Sequence, residues 1–402
     1  MNSAWMRILY FIVPMIIAVF LVPPVKKAAW KYGIFAVENE RTVHHGKIPR
    51  IGGVAVYTAF MIGCLLFVRP LDQSVRAILL GGTIVFAGGL LDDVVNLRPR
   101  YKLLFQIAGA LAVMYLGNVE WQDINLFFGI RIPAGILTLA ITFVWLIGIT
   151  NAINLLDGMD GLSSGFSIIV LFSICMISTV VNRPEIIRFA LILAGAAAGF
   201  LVFNFHPASI FIGDCGAQFL GFMIASISIQ GFKSGTFITM LMPITLLFIP
   251  IMDTLSAMLR RKLSGHKISD ADQGHIHHVL MKGFGLGQMQ TVLLIYAMTA
   301  MFGVTAYICA INTGLGLVIL LVLVLLSELL IEVTGMISNR YHPLLSVVKK
   351  VFILIRSRSD AHEPKEVKSP EPSPEEKKPE ENTPEETAPE TEEEPKGENN
   401  DA

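Results

Sequence analysis

The sequence predicts an all-α, polytopic membrane protein with about eleven transmembrane helices. Three observations carry this reading. Hydrophobic residues make up 53% of the 402-residue chain and charged residues only 16%, against about 45–50% and about 25% in soluble domains. The apolar residues come in blocks close to the roughly 20 residues that span a bilayer as a helix. Within the blocks apolar and polar positions do not alternate, which excludes a membrane β-barrel. Lipid offers the backbone no hydrogen-bond partners, so the blocks must be helical.

In chain order the expected spans are 6–25, 51–68, 77–91, 103–117, 134–152, 165–182, 189–203, 217–232, 236–258, 289–310 and 315–335. The first is too long for a signal-peptide core and lacks a small-x-small cleavage site, so it is expected to remain as a span. Connections 69–76, 118–133, 183–188, 233–235 and 311–314 are short or poor in cations. The others hold "KKAAWKYGIFAVENERTVHHGKIPR", "DDVVNLRPRYK", "NLLDGMDGLSSG", "NFHPASIFIGDCGAQ" and "RRKLSGHKISDADQGHIHHVLMKGFG". Lys and Arg gather in this second set, which the positive-inside rule assigns to the cytoplasm. An odd number of spans then sets the N-terminus outside and the C-terminus inside. Five loops holding nearly every unusual polar residue thus meet at one membrane face, as an active site requires.

The net charge of −1 hides a segregation. From Asp360 onward there are 16 acidic and 5 basic residues, which leaves 26 basic and 16 acidic residues in the body. The Pro- and Glu-rich tail, 360–402, cannot bury a core and reads as a disordered, solvated appendage. The expected organisation is a transmembrane domain over 1–340, a basic juxtamembrane segment over 341–359, and this tail. Cys64, Cys175, Cys215 and Cys309 have neither disulfide-framework nor metal-ligand spacing. No Walker loop or dinucleotide fingerprint occurs, and nothing points to nucleic acid.

Each polar loop admits two readings. Asp92 and Asp93 repel one another unless a cation, a shared proton or water intervenes. Arg98, Arg100 and Lys102 follow closely enough to neutralise them or to hold phosphate, and a snorkelling charge cluster is the simpler alternative. In "NAINLLDGMDGLSSG" a helical turn presents Asn151, Asn154, Asp157 and Asp160 on one face. Gly158, Gly161 and Gly165 let backbone approach a ligand; an ordinary Gly-rich turn fits as well. Asp214 is either an N-cap or a ligand to Mg²⁺, which takes one or two carboxylates plus phosphate oxygens. His275, His277 and His278 suit zinc or, better in a carboxylate-lined cleft, phosphate and sugar. Asp253, about two turns before Arg260 and Arg261, is an ionisable group near a span end and so a functional candidate. Glu328 and Glu332 read as interfacial.

"GKIPRIGG", "LDDVVNLRPRYKL", "NAINLLDGMDGL", "FNFHPASIFIGDCGAQFLG" and "ADQGHIHH" occur in this order, joined by spans. Together they resemble the polyprenyl-phosphate N-acetylhexosamine-1-phosphate transferases, over residues 1–340. The resemblance implies transfer of a sugar 1-phosphate from a UDP-sugar to undecaprenyl phosphate in the bacterial cell membrane. UMP is released, and Mg²⁺ is required, with Mn²⁺ able to substitute. It also implies a metal on Asp214 with Asp92 and Asp93, and catalytic roles for Asp92, Asp93, Asp157, Asp160, His275, His277 and His278. Substrate contacts are implied for Lys47, Arg50, Lys102, Asn151, Asn154, Gly158, Asn204, Phe211 and Asp253. "HIHH" after "ADQG" looks like the GlcNAc branch, which starts cell-envelope polymers such as teichoic acid or O-antigen; Val279 stands where relatives often carry a cation. Lipid I synthase is the alternative, and a homodimer fits either. A proton-coupled transporter would place ionisable groups at mid-membrane in repeated halves, a scaffold would act through the tail, and the CDP-alcohol phosphotransferase pattern is absent.

Overall fold

An apolar run in lipid has one way to satisfy its own backbone, and every one of the eleven expected spans is helical. The computed structural model describes residues 4–36, 47–122, 124–125, 131–232, 237–265, 272, 274–338, 342–347, 349–350 and 353. The chain divides into two compact units, Met1–Lys349 and Lys350–Ala402; everything below concerns the first. The expected acidic tail lies outside the described residues.

The helices are α1 (Ala4–Tyr32), α2 (Gly53–Phe67), α3 (Gln73–Val95), α4 (Pro99–Leu111), α5 (Ile136–Leu156), α6 (Leu162–Val180) and α7 (Pro184–Asn204). They continue as α8 (Gly213–Gly231), α9 (Phe237–Leu246), α10 (Phe248–Leu263), α11 (Ile276–Phe284), α12 (Gln288–Ile311) and α13 (Thr313–Thr334). A π-helical turn, Ala112–Leu116, extends α4. Beside these, a two-residue antiparallel ladder pairs β1 (Ile124–Asn125) with β2 (Arg131–Ile132) in the connection 118–133.

Among the described residues, seven helices are long and apolar enough to cross a membrane: α1, α3, α5, α6, α7, α12 and α13. The pair α9–α10 makes an eighth if counted as one broken span. The remaining runs differ in length or in setting. The 15 residues of α2 reach only about 22 Å at 1.5 Å per residue, less than the roughly 30 Å hydrocarbon core. Helix α8 is buried in protein along nearly its whole length.

Two elements differ from expectation. The ninth run is not one helix, because α9 and α10 meet at Leu247 with a bend of 76°. Pro250 supplies the cause: it cannot donate to the Leu246 carbonyl, and its ring crowds that carbonyl. The long His-bearing segment, read as a connecting loop, contains α11.

The core is organised around α8, which packs between α3 and α5. Tyr57 of α2 stacks on Phe86 of α3 with centroids 3.9 Å apart, and Phe219 of α8 meets both rings edge-on. Helix α1 docks on α7 through Gly195 and Gly199, four residues apart on one face. A Cβ on Gly195 would lie 2.1 Å from the Phe11 carbonyl oxygen, and one on Gly199 2.2 Å from that of Met15. This is the small-xxx-small device that lets membrane helices approach to backbone contact.

Gly195→Ala and Gly199→Ala should each cost about 1–3 kcal/mol through overpacking. Thiol-dye melts in detergent can read this, because Cys64, Cys175, Cys215 and Cys309 are all buried. Gly148→Ala, where a Cβ meets nothing within 4 Å, should leave the midpoint unchanged or raise it slightly.

Candidate active site

Three helix ends and one extended segment converge on Asp92, Asp93 and Asp214. Asn96 closes α3 in the left-handed conformation. The Asp92 carboxylate stays at that turn, accepting the Leu97 amide at 2.7 Å. Asp93 caps a different helix: its two oxygens accept the Asp214 amide at 2.8 Å and the Cys215 amide at 2.9 Å. These are unpaired N–H groups at the start of α8, where the helix dipole also favours an anion. Gly213, at φ +74°, lets the chain enter α8 there; a Cβ would meet the Arg50 carbonyl oxygen at 2.5 Å and Asp93 Oδ2 at 2.6 Å. Residues 49–53 pair with 211–212 through backbone bonds of 2.7–2.9 Å, including Phe211 N–H to the Pro49 carbonyl. That pairing delivers Arg50 to the carboxylates.

Ligand atoms of Asp92, Asp93 and Asp214 lie within 4.8 Å of one another. Lys102 Nζ donates to Asp214 Oδ2 at 2.5 Å and lies 2.6 Å from Asp92 Oδ2. Arg50 Nη2 donates to Asp214 Oδ1 at 2.9 Å, and its Nε is 3.5 Å from Asp93 Oδ1. Burial disfavours the Arg50 charge, but Asp214, Asp93, Asp157 and Asp92 outweigh it and hold the guanidinium firmly protonated. The donor set is three hard carboxylates, and a cationic group already sits among them. Both facts fit a hard divalent cation. Among the described residues no other group of His, Cys, Asp or Glu converges this closely.

Below the charged layer lies a layer of amides. Gln106 follows Lys102 by one helical turn, and Gln218 follows Asp214 likewise. Gln106 Nε2 donates to Gln218 Oε1 at 3.0 Å and to Asn151 Oδ1 at 3.2 Å, while Asn151 Nδ2 returns a bond to Gln106 Oε1 at 2.8 Å. Asn154 is half-buried at the end of α5, and its carbonyl accepts the Asp157 amide at 3.3 Å. Asp157 receives the Ser163 hydroxyl at 2.5 Å. Burial pushes its carboxyl up to about 7, against a pull from Ser163 and Arg50 and with a further push from Asp214 and Asp93.

The histidines are held by α10. Asp253 accepts His275 Nδ1 at 2.8 Å and the Ile276 amide at 2.7 Å, so it caps α11. Two turns on, Arg260 bonds Asp272 and the Met336 carbonyl. His277 is buried, its ring edge against Gly158, where a Cβ would fall 2.4 Å from Nε2. Burial, reinforced by His278, pushes the imidazole down to about 3, so it is neutral at physiological pH. His278 is half-buried and is likewise lowered, by burial and then by Lys282. The His275 and His277 rings lie parallel with centroids 6.0 Å apart. The histidines do not converge as zinc ligands.

The structure therefore brings together Asp92, Asp93, Asp214, Arg50 and Lys102, with Asn151, Asn154 and Asp157 alongside and Gly158 touching His277. Other expected site residues have framework partners. Asp160 is buried and accepts His206 Nδ1 at 2.8 Å and the Ala208 amide at 3.1 Å. Asn204 bridges Ser164 and the Ile210 carbonyl at 3.1 Å each. Lys47 is exposed, 6.0 Å over the Phe35 ring and apart from the carboxylates. Gln106, Gln218, Ser163, His206 and Asp272 were not singled out from the sequence; the first two carry a signal there, each four residues after a site residue.

Two outcomes follow. Gly158→Ala should displace α11 and speed hydrogen exchange of its amides, with exchange in α6 and α7 unchanged. Asp157 has a native pKa near 7 above its ordinary value near 3.9, so the native state binds the extra proton and loses stability as pH rises from about 4 to about 7. Asp157→Asn keeps the acceptor for Ser163 and should melt higher than the parent at pH 8, the gain vanishing near pH 4.

Comparison with known proteins agrees with this geometry. Residues 75–232 match Glycosyl transferase family 4. The chain is 35% identical to the probable undecaprenyl-phosphate N-acetylglucosaminyl 1-phosphate transferase of Bacillus subtilis (strain 168), over 85% of this chain and 96% of that protein. It is 31% identical to the decaprenyl-phosphate N-acetylglucosaminephosphotransferase of Mycobacterium tuberculosis (strain ATCC 25618 / H37Rv), over 70% and 77%. Identity to the phospho-N-acetylmuramoyl-pentapeptide-transferase of Staphylococcus haemolyticus is 30%, over 71% and 93%. The chain belongs to the polyprenyl-phosphate N-acetylhexosamine-1-phosphate transferase family, multi-pass membrane enzymes that transfer a phospho-sugar to a polyprenyl phosphate.

Proposed function

We propose that the protein transfers GlcNAc-1-phosphate from UDP-GlcNAc to undecaprenyl phosphate, releasing UMP, as the first step of a cell-envelope polymer. The observation that carries this is the cluster of Asp92, Asp93 and Asp214 with Arg50 and Lys102 at the ends of α3, α4 and α8. Both substrates are phosphate anions, and their approach needs screening. Asp214, Asp92 and Asp93 would hold Mg²⁺, which supplies charge stabilisation to a diphosphate.

An oxygen of the lipid phosphate forms a bond to the phosphorus that carries the sugar. The bond from that phosphorus to the oxygen of UMP breaks, and the sugar–oxygen bond is untouched. A phosphate monoester has its second pKa near 6, so the acceptor is already a dianion at neutral pH and needs no general base. Arg50 and Lys102 offset the charge on the leaving UMP. Asp93, with both oxygens on α8 amides, positions Asp214; Asp92 faces Lys102. The neutral His277 and half-buried His278 suit hydroxyl and phosphate oxygens of the sugar side.

An apolar groove of about 670 Å³ between α5 and α10, lined by Val144, Trp145, Gly148, Ile251, Leu255 and Met258, supports a place for the isoprenoid. It runs along α5, whose end carries Asn151, Asn154 and Asp157. An N-terminus outside and reaction at the cytoplasmic face belong to the same proposal, as does a homodimer.

UMP release by protein in detergent, with undecaprenyl phosphate and Mg²⁺, tests it. Turnover with UDP-GlcNAc, abolished by EDTA and reduced at least 100-fold by Asp214→Ala, is expected. Turnover with UDP-MurNAc-pentapeptide alone would keep the chemistry and replace the sugar. No turnover with either donor, in protein that melts cooperatively, would refute the reading.

A further inference from the structure

Building on that reading, we propose that the Lys102 ammonium is a displaceable occupant of the cation position. A divalent ion binding Asp92 and Asp214 expels it, and the freed ammonium is then available to an anionic donor.

The argument starts from distances. Lys102 Nζ lies 2.6 Å from Asp92 Oδ2 and 2.5 Å from Asp214 Oδ2. It sits between the two oxygens that a metal bridging these residues would use. Mg²⁺ takes carboxylate oxygens at about 2.0–2.1 Å. An ammonium and a divalent ion sharing the same two oxygens would be almost in contact, and like charges repel steeply at that separation. One of them must leave.

Lys102 is built to be the one that leaves. Its side chain is 26% exposed, against 4% for Asp92 and 11% for Asp214, so a path to solvent exists along its own flexible stem. It also stands in the first turn of α4, where the helix dipole disfavours a cation. Arg50 differs. Its guanidinium engages Asp214 and Asp93 together, and its backbone is threaded through the pairing of 49–53 with 211–212. The guanidinium therefore stays while the ammonium exchanges.

Charge counting gives the exchange a purpose. Three carboxylates against Arg50 and Lys102 leave a formal −1, which repels a nucleotide diphosphate. Exchanging the ammonium for a divalent ion brings the cluster to a formal 0 and places the freed +1 of Lys102 in the cleft. The cluster then becomes attractive to the donor only when the ion is bound, which orders the binding of the two.

The test needs neither substrate, so it is independent of whether the sugar assignment holds. In full-length protein stripped with EDTA, Mn²⁺ binding is followed by electron paramagnetic resonance. Lys102→Met should bind Mn²⁺ at least tenfold more tightly than the parent, and unchanged or weaker binding would overturn the proposal. A second measurement uses the unaltered protein: acetylation of lysine amines by a water-soluble N-hydroxysuccinimide ester, read by peptide mass spectrometry. Saturating Mg²⁺ should raise labelling of Lys102 severalfold while leaving exposed Lys47 unchanged. Equal or slower labelling of Lys102 with Mg²⁺ would show that the ammonium stays parked, and the proposal would fail.

Discussion

The structure depends on placing three carboxylates side by side where little water reaches them. A buried charge without a partner is among the costliest features a fold can carry, and each of these has a different remedy. Asp93 takes the free amides of α8, Asp92 takes Lys102, and Asp214 takes both Lys102 and Arg50. Each remedy ties a different piece of chain to the cluster: the end of α3, the start of α4, the start of α8 and the segment around Arg50. Removing one partner would strand a charge and loosen a helix end at the same time. Assembly of the site and assembly of this part of the fold are one event.

The amide layer beneath shows how the helices keep their register. A helix carbonyl can only accept, and Asn151 Nδ2 donates to the Ile147 carbonyl at 2.8 Å. That fixes which way the Asn151 amide faces. Gln106 must then accept through Oε1 and donate through Nε2, and Gln218 must accept from it. The direction of all three side chains follows from one backbone oxygen. Because Gln106 and Gln218 each stand about a turn deeper than a charged residue on the same helix, rolling α4 or α8 out of place would break amide bonds together with those of the charged layer.

How much of this can be read from the sequence depends on the kind of interaction. Apolar runs declare helices because lipid leaves no alternative, so all eleven are helical. Which of them can cross is less legible, since α2 is apolar but only 15 residues long and α8 is buried in protein along nearly its whole length. The break at Leu247 hides within an apolar run that holds two prolines: Pro243 lies inside α9, and the break falls just before Pro250. For the site, Asp92, Asp93 and Asp214 stand out as charges interrupting oil. Sequence cannot say which partner each side chain meets. Lys47 and Arg50 look alike as cations in one motif, yet the pairing with 211–212 sends Arg50 to the carboxylates while Lys47 stays at the surface. Asp160 and Asp253 look like catalytic or substrate-binding carboxylates, and the structure gives each a histidine and a backbone amide to hold.

The bend between α9 and α10 draws these threads together. Asp253 and Arg260, seven residues apart, lie on one face of α10, where they hold His275, the start of α11 and Asp272. Ile251, Leu255 and Met258 lie on another face and line the apolar groove. A helix so divided is stable only along a boundary between polar and apolar surroundings. The 76° turn at Leu247 gives α10 its own direction, so that its two faces are presented independently of α9. One rigid helix then faces the polar histidines on one side and the apolar groove on the other. That geometry suits an enzyme acting on a polyprenyl phosphate, a substrate with a polar head and an apolar chain.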